Sequence, residues 1–522
     1  EPGKTLITLL RTSSLLGPNT TTTATPTNFY MLKGGVRLLS TPRHNILPAL
    51  RRYAHTMLPV PPAALVSSSS HNVPGQMVVT ELRFTVPLDY SKPDLGTIEL
   101  FGRRAVKYER PAAPSDDEAE ARNRAQKPYM VYLEGGPGFG CRPPQEHPLT
   151  RYALQRGYQV LYLDHRGTGL STPVSEAMLR KLGGADAQVA YLRLMRQDNT
   201  VRDCEAVRQC LTEGWPENKR KWSIFGQSYG GFVSMSYLSF HPEGLREVFL
   251  TGGLAPVGRT ADEVYKAVLP RVLARNDLYY AKFPEDAATV RQIAAYVESQ
   301  GGAVPLPGGG SLTVPRLMTI GIAFGGHGGF DSVHNTLLHL KSSLGQFGHL
   351  SRASLAPLES FTPFDTNIIY AILHEAIYCD GPGQVSDWAA NRVGSSLKDF
   401  NWLLTGTLPS DEQPNFSGEN IFPFHFDTYP ELMALKEVAD KLAAIDDWEP
   451  LYNIDKLRER SVPVYAASYV EDMYVDCDFA RETAKLVGAK TFETNVMYHS
   501  ALRSKADEVL QQLFSLRDDV LD

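Results

Sequence analysis

Apolar and polar residues alternate from Val78 to Val86 and again from Thr97 to Val106, the period-two pattern of half-buried strands, and Pro93-Asp-Leu-Gly96 supplies a turn between them. The texture then changes to short unbroken apolar runs. Tyr129-Met-Val-Tyr-Leu133, Gln159-Val-Leu-Tyr-Leu163, Trp222-Ser-Ile-Phe225, Glu247-Val-Phe-Leu-Thr251 and Pro463-Val-Tyr-Ala-Ala467 read as strands buried on both faces, with helical patterns between them. Such alternation predicts an α/β chain with a mostly parallel central sheet covered by helices on both sides. From Gly253 to about Pro450 the rhythm is lost, and the segment reads as helices with glycine-rich breaks such as Gly308-Gly-Gly310. The expected organisation is a leader over residues 1–76, a sheet core over 77–254, a helical cap insertion over 255–450, and the remainder of the core over 451–522.

Composition adds limits. With 43% hydrophobic and 21% charged residues the chain is that of an ordinary soluble globular protein. The net charge of −6 offers no basic footprint for nucleic acid, but residues 1–80 hold seven Lys/Arg against the single acid Glu1. A basic, Ser-bearing, nearly acid-free leader fits a mitochondrial transit segment as well as a disordered tail, so the localisation expected is cytoplasmic, with mitochondrial as the alternative. The loop from Pro111 to Lys127, with Ser115-Asp-Asp-Glu-Ala-Glu120, reads as a solvated insertion. Five scattered cysteines make no disulfide framework, and neither Cys-x-x-Cys nor His-Glu-x-x-His occurs, so no metal is expected. No apolar run approaches the roughly 18 residues of a membrane helix.

The chemistry gathers around Gly226-Gln-Ser-Tyr-Gly-Gly231. Trp222 to Phe225 provides a strand before it and Tyr229 to Phe240 a helix after it. A serine at such a turn is held exposed at the carboxyl edge of the sheet and at a helix N-terminus, where developing negative charge is favoured. Ser228 is therefore the candidate nucleophile. An oxyanion needs two donors, expected from the Tyr229 N–H and from Gly136 or its neighbour in Glu134-Gly-Gly-Pro-Gly138, the loop that follows the Tyr129–Leu133 strand. Serine also needs a base, and the base a carboxylate. His499 follows the last predicted strand, Lys490 to Met497, and is the only histidine beyond His425. Asp472 is the preferred acid, with Glu471 and Asp476 as rivals in the same loop.

Gly135-Gly-Pro-Gly138, Asp164-His-Arg-Gly-Thr-Gly-Leu-Ser171 and Gly226-Gln-Ser-Tyr-Gly-Gly231, with Asp472 and His499 in that order, resemble the proline iminopeptidase family of α/β-hydrolases, and most closely its longer fungal-type members. The resemblance runs from about residue 77 to the C-terminus. It implies an α/β-hydrolase fold with a helical cap, no cofactor, and carboxylates that capture the free amine of an N-terminal residue; Glu375, and second Glu419, stand at positions suited to that role. Two residues depart from many bacterial members: Glu134 replaces a His, which would place a carboxylate near the scissile bond or the amine, and His165 replaces a Gln. The expected activity is a serine aminopeptidase that releases an N-terminal residue, preferentially proline, from small peptides. A carboxylesterase or amidase using the same triad is one alternative, and a non-catalytic binding protein on the same fold is another.

Overall fold

The computed structural model describes residues 59–109 and 125–519. Most of the basic leader (1–58) and the acidic part of the Pro111–Lys127 loop (up to residue 124) lie outside those residues.

Eleven strands are present among the described residues: β1 (Ala64–Val73), β2 (Met77–Pro87), β3 (Thr97–Lys107), β4 (Tyr129–Leu133), β5 (Gln159–Leu163), β6 (Trp222–Gln227), β7 (Leu245–Thr251), β8 (Val304–Pro305), β9 (Ser311–Leu312), β10 (Val464–Tyr469) and β11 (Lys490–Thr494). Nine of them form one sheet in the order β1-β2-β3-β5-β4-β6-β7-β10-β11, and β8 and β9 pair as a small separate hairpin. The pairings β1/β2, β2/β3 and β3/β5 are antiparallel, and all those from β5 to β11 are parallel. Strands β4, β5, β6 and β10 are buried at every position, which is why they read as unbroken apolar runs. β2 alternates buried and half-buried positions, as its period-two pattern requires.

Two expectations are corrected. The leader does not extend to residue 76, because Ala64 to Val73 pairs along its length with β2. This edge strand is exposed on both faces over nearly all its residues, so Ser67-Ser-Ser-Ser70 carries no alternation by which to find it. The last strand ends at Thr494 rather than Met497, since the Val496 N–H turns back to the Thr494 hydroxyl (3.3 Å) and the Val496 side chain is exposed. The segment 255–450 is helical, and its apolar residues divide between two clusters. Apolar residues of its first half, such as Val268, Leu317 and Leu337, share one cluster with the sheet residues Leu133 and Ile224. Those of its second half, such as Ile369 and Leu442, share another with Leu179 and Leu192 from the earlier segment.

The Asp164–Ser171 motif braces this assembly. Asp164 Oδ1 accepts the Cys141 N–H (2.7 Å) and Oδ2 the Leu170 N–H (2.8 Å), tying the glycine loop after β4 to the turn after β5. Arg166 is fully buried and bidentate to Asp203, with Nε to Oδ2 at 2.7 Å and Nη2 to Oδ1 at 2.6 Å. Its other N–H groups reach the Pro87, Leu88 and Leu194 carbonyls, and the Tyr90 hydroxyl completes the Asp203 carboxylate at 2.8 Å. A buried guanidinium without its partner is costly, so Asp203→Ala is expected to destabilise the fold by about 3–5 kcal/mol. Urea denaturation measures this, and a loss below about 1 kcal/mol would show that the pair does not hold the end of β2 to the β5 loop.

Candidate active site

The parallel strands deliver their C-terminal ends to one edge, and each loop there carries a candidate residue. Ser228 follows β6 directly and precedes the helix Tyr229–Phe240, at φ 53° and ψ −124°. That conformation is rare for a residue with a side chain and is imposed by close backbone contacts around it. A Cβ on Gly230 would fall 1.9 Å from the Leu133 carbonyl oxygen, one on Gly226 2.5 Å from the Gly230 oxygen, and one on Gly231 2.1 Å from the Gly253 oxygen.

His499, beyond β11, places Nε2 2.8 Å from Ser228 Oγ, and its Nδ1 lies 2.8 Å from Asp472 Oδ2. A carboxylate can only accept, so Nδ1 carries the proton and Nε2 is left to accept from the serine hydroxyl. Asp472 Oδ1 takes the N–H groups of Tyr474 (2.8 Å) and Val475 (3.1 Å), which fixes the carboxylate in its loop after β10. The rival Asp476 is employed otherwise: it caps the helix Cys477–Val487 through Oδ1 and pairs through Oδ2 with Arg271 at 2.6 Å. All three members of the chain are buried, Asp472 to 1% exposure. Burial alone lowers the His499 pKa, but the Asp472 charge and hydrogen bond, helped by Glu419, outweigh it and hold the imidazole above its ordinary value.

The glycine loop lies between this elbow and the helical segment. A Cβ on Gly135 would sit 2.6 Å from Gln227 Oε1 and 3.1 Å from the Ser228 Cβ, and one on Gly138 would meet the Tyr370 nitrogen at 2.6 Å. Gly136 has φ +123°. Tyr229 begins the elbow helix, where the first N–H groups have no intrahelical acceptor. Gly135 and Tyr229 thus both flank Ser228, which places the loop that carries Gly136 beside that serine.

The two amine-site candidates have different surroundings. Glu375 Oε1 accepts the Ala390 N–H (2.8 Å) and Oε2 the Ala389 N–H (3.1 Å), so its carboxylate closes the N-terminus of the helix Ala389–Ser395. Burial pushes its pKa up to about 7, against those hydrogen bonds. Each oxygen thus holds one backbone N–H of the helix end. Glu419 is half-buried, and its Oε1 accepts the Tyr370 hydroxyl at 2.6 Å. Its charge acts on His499, Tyr378 and Tyr474, raising the pKa of each. Glu134 bonds through Oε1 to the Gly135 N–H (2.9 Å) and the Tyr132 hydroxyl (3.2 Å), one residue from the glycine that abuts Ser228. His165 is buried, and burial lowers its pKa to about 4.

Tyr474 has no motif by which sequence alone could find it. Its ring stands edge-on to His499 at 4.7 Å, and its hydroxyl donates to the Ile322 carbonyl of the helical segment. It also walls an open groove of about 480 Å³ with His327, Ser332, Thr336 and Phe361. Among the described residues, Glu285, Asp286 and His334 bring potential metal-ligand atoms within 4.8 Å of one another, a grouping that no sequence motif signals. There Asp286 Oδ2 already takes the Tyr279 hydroxyl and lies 2.9 Å from His334 Nδ1. No helix of the described residues is long and apolar enough to cross a membrane.

A family profile described as the alpha/beta hydrolase fold matches residues 128–297. Proline iminopeptidase aneH of Aspergillus aculeatus is 38% identical over 464 residues, covering 89% of this chain and 99% of its own. The proline iminopeptidase of Aeromonas sobria is 40% identical over 439 residues, covering 84% of this chain and 96% of its own. A probable proline iminopeptidase of Streptomyces coelicolor is 26% identical over 202 residues, 35% of this chain, so the first two relatives are the ones that bear on the whole of it.

The raised His499 pKa sets a pH dependence. Serine labelling needs the neutral imidazole, so an organophosphonate is expected to label Ser228 at a rate that falls as pH drops, with an inflection above about 6.5. Asp472→Asn removes the charge that raises the pKa, and should slow labelling by up to about 10⁴-fold and move any residual inflection to lower pH. A rate that stays flat between about pH 5 and 8 would count against His499 as the base.

Proposed function

This chain belongs to the proline iminopeptidase family of α/β-hydrolases, and we propose that it is a serine aminopeptidase that releases an N-terminal residue, proline in preference, from small peptides. The observation that carries the reading is the hydrogen-bonded chain from Ser228 through His499 to Asp472, with the half-buried carboxylate of Glu419 set among tyrosines beside it.

In this reading the Ser228 oxygen attacks the first peptide carbonyl as its proton passes to His499 Nε2. The tetrahedral oxyanion lies against the Gly136 and Tyr229 N–H groups, which cost no reorganisation because the glycine loop and the helix already hold them. The intermediate collapses by breaking the C–N bond, and the imidazolium returns the proton to the leaving amine. Water then enters through the same base, the ester bond to Ser228 breaks, and the free amino acid leaves. Asp472 stays ionised throughout and stabilises the imidazolium.

Restriction to the first residue comes from charge. The ammonium or secondary amine of the substrate is expected to pair with Glu419, whose carboxylate stands in a low-dielectric setting where a charge-assisted hydrogen bond is strong. Glu375 is assigned a supporting role, because its oxygens already hold a helix end. A pyrrolidine ring suits the aromatic walls formed by Phe139 and Tyr370, whose ring centres are 5.0 Å apart.

The test compares a prolyl arylamide with its N-acetyl derivative. The free amine is expected to be cleaved at least about 10-fold faster, since a charge-assisted hydrogen bond to the half-buried Glu419 is worth roughly 1.5–3 kcal/mol. Equal rates would instead favour a carboxylesterase or amidase, and no turnover of either with Ser228 unlabelled would favour a binding protein. Glu419→Gln should raise KM for the free amine by about 10–100-fold. Glu375→Gln should act mainly on thermal stability, and the opposite ranking would restore Glu375 as the amine ligand.

A further inference from the structure

Glu134 is a buried carboxylate that the mechanism above does not use. It is 5% exposed and stands between β4 and the glycine loop. Its Oε1 accepts the N–H of the next residue, Gly135, at 2.9 Å and the Tyr132 hydroxyl at 3.2 Å. On the far side, the Gly135 Cα is boxed in by Gln227 Oε1 and the Ser228 Cβ, which leave no room for a side chain. Gly135 is therefore held at its nitrogen by a carboxylate and at its Cα by the nucleophile strand.

The geometry points to Glu134 as the positioning residue of the oxyanion loop. With the Glu134–Gly135 peptide fixed by the carboxylate and the Gly135 Cα fixed by Gln227 and Ser228, the following peptide has little freedom, and the Gly136 N–H is aimed by its neighbours. This inference rests on the reading of Gly136 as an oxyanion donor. It assigns to Glu134 neither contact with the substrate amine nor proton transfer.

The surroundings fit that role. Glu134 lines a small cavity of about 10 Å³ of mixed character, with Arg142, His147, Gln227 and Arg503 beside Pro148 and Leu502. Burial raises its pKa, and the Gly135 N–H, Arg503, Tyr132 and Arg142 work in the opposite direction. His147 is kept neutral by burial and by the same two arginines, so the arginines are the cations facing the carboxylate. A negative charge this near Ser228 repels a developing oxyanion, so its usefulness must lie in its acceptor atoms and not in its charge. A glutamine retains an acceptor in the same place; a leucine does not.

The experiment compares Glu134→Gln, Glu134→Leu and Glu134→Ala with wild type. Two readings are taken: kcat and KM on a prolyl arylamide, and the rate of Ser228 phosphonylation, which does not depend on the substrate class the enzyme hydrolyses. Full loss of one oxyanion donor costs about 10²–10³ in kcat, so a misaimed one is expected to cost about 10–100-fold in both rates with KM little changed. Glu134→Gln is expected to stay within about threefold of wild type in kcat, because its carbonyl still accepts the Gly135 N–H. Glu134→Ala avoids an alkyl chain against Arg142 and Arg503, so the comparison survives if the leucine variant does not fold. Three results overturn the inference: Leu or Ala variants that phosphonylate at the wild-type rate, a Gln variant that loses as much as Leu, or a change confined to KM. If wild-type Ser228 itself resists labelling, it is the serine-hydrolase reading that fails.

Discussion

Around the end of β6 four stretches of backbone meet with no space for a side chain between them. Gly230 lies against the Leu133 carbonyl, Gly226 against the Gly230 carbonyl, Gly231 against Gly253, and Gly253 against the Ser228 carbonyl. Ser228, at the turn in this crossing, is forced to φ 53°, which lifts its hydroxyl off the sheet toward His499. Such a conformation costs of order 1–3 kcal/mol and persists only because its neighbours over-determine it. The rest of the site depends on this crossing: the strand order sets which loops arrive there, and the glycines set how closely they approach.

Buried carboxylates then divide the labour. Asp164 holds two loop N–H groups, Asp203 holds Arg166, Glu375 holds a helix end, Glu134 holds the glycine loop, and Asp472 holds His499. Each has its charge or its oxygens answered from within the protein, as a low-dielectric interior demands. Glu419 stands apart, half-buried, with a neutral tyrosine hydroxyl on Oε1 and its charge acting on His499. That contrast is the reason Glu419 is the carboxylate proposed to meet a cation brought by a substrate. Tyr474 links the two halves of the arrangement, since it bonds to Asp472, packs on His499 and reaches the helical segment at Ile322.

Much of this was legible along the chain because it is local. Buried parallel strands must be apolar at every position, so β4 and β5 could be read to the residue, and a Gly-x-Ser-x-Gly turn between a strand and a helix has few other uses. The helix Tyr229–Phe240 was equally plain. What failed locally had no periodic signal: β1 is an edge strand with both faces in solvent, and its serine run resembles a loop. The helical segment reads as a separate cap in sequence, and its apolar residues divide between a cluster shared with the sheet and a second cluster drawn mostly from the segment itself.

Sequence by itself determined the sheet class, the nucleophile turn, and the order in which a serine, an acid and a histidine reach one edge, because each follows from short-range pattern and strand polarity. Choosing among Glu471, Asp472 and Asp476 took the fold: only tertiary packing sent Asp476 to a helix cap and Arg271 and left Asp472 against His499. The same holds for Glu375, Glu419 and Glu134, three glutamates whose partners the sequence does not show. Their roles turn on which backbone N–H groups, hydroxyls and rings lie within about 3 Å, and that distance is decided by residues remote along the chain.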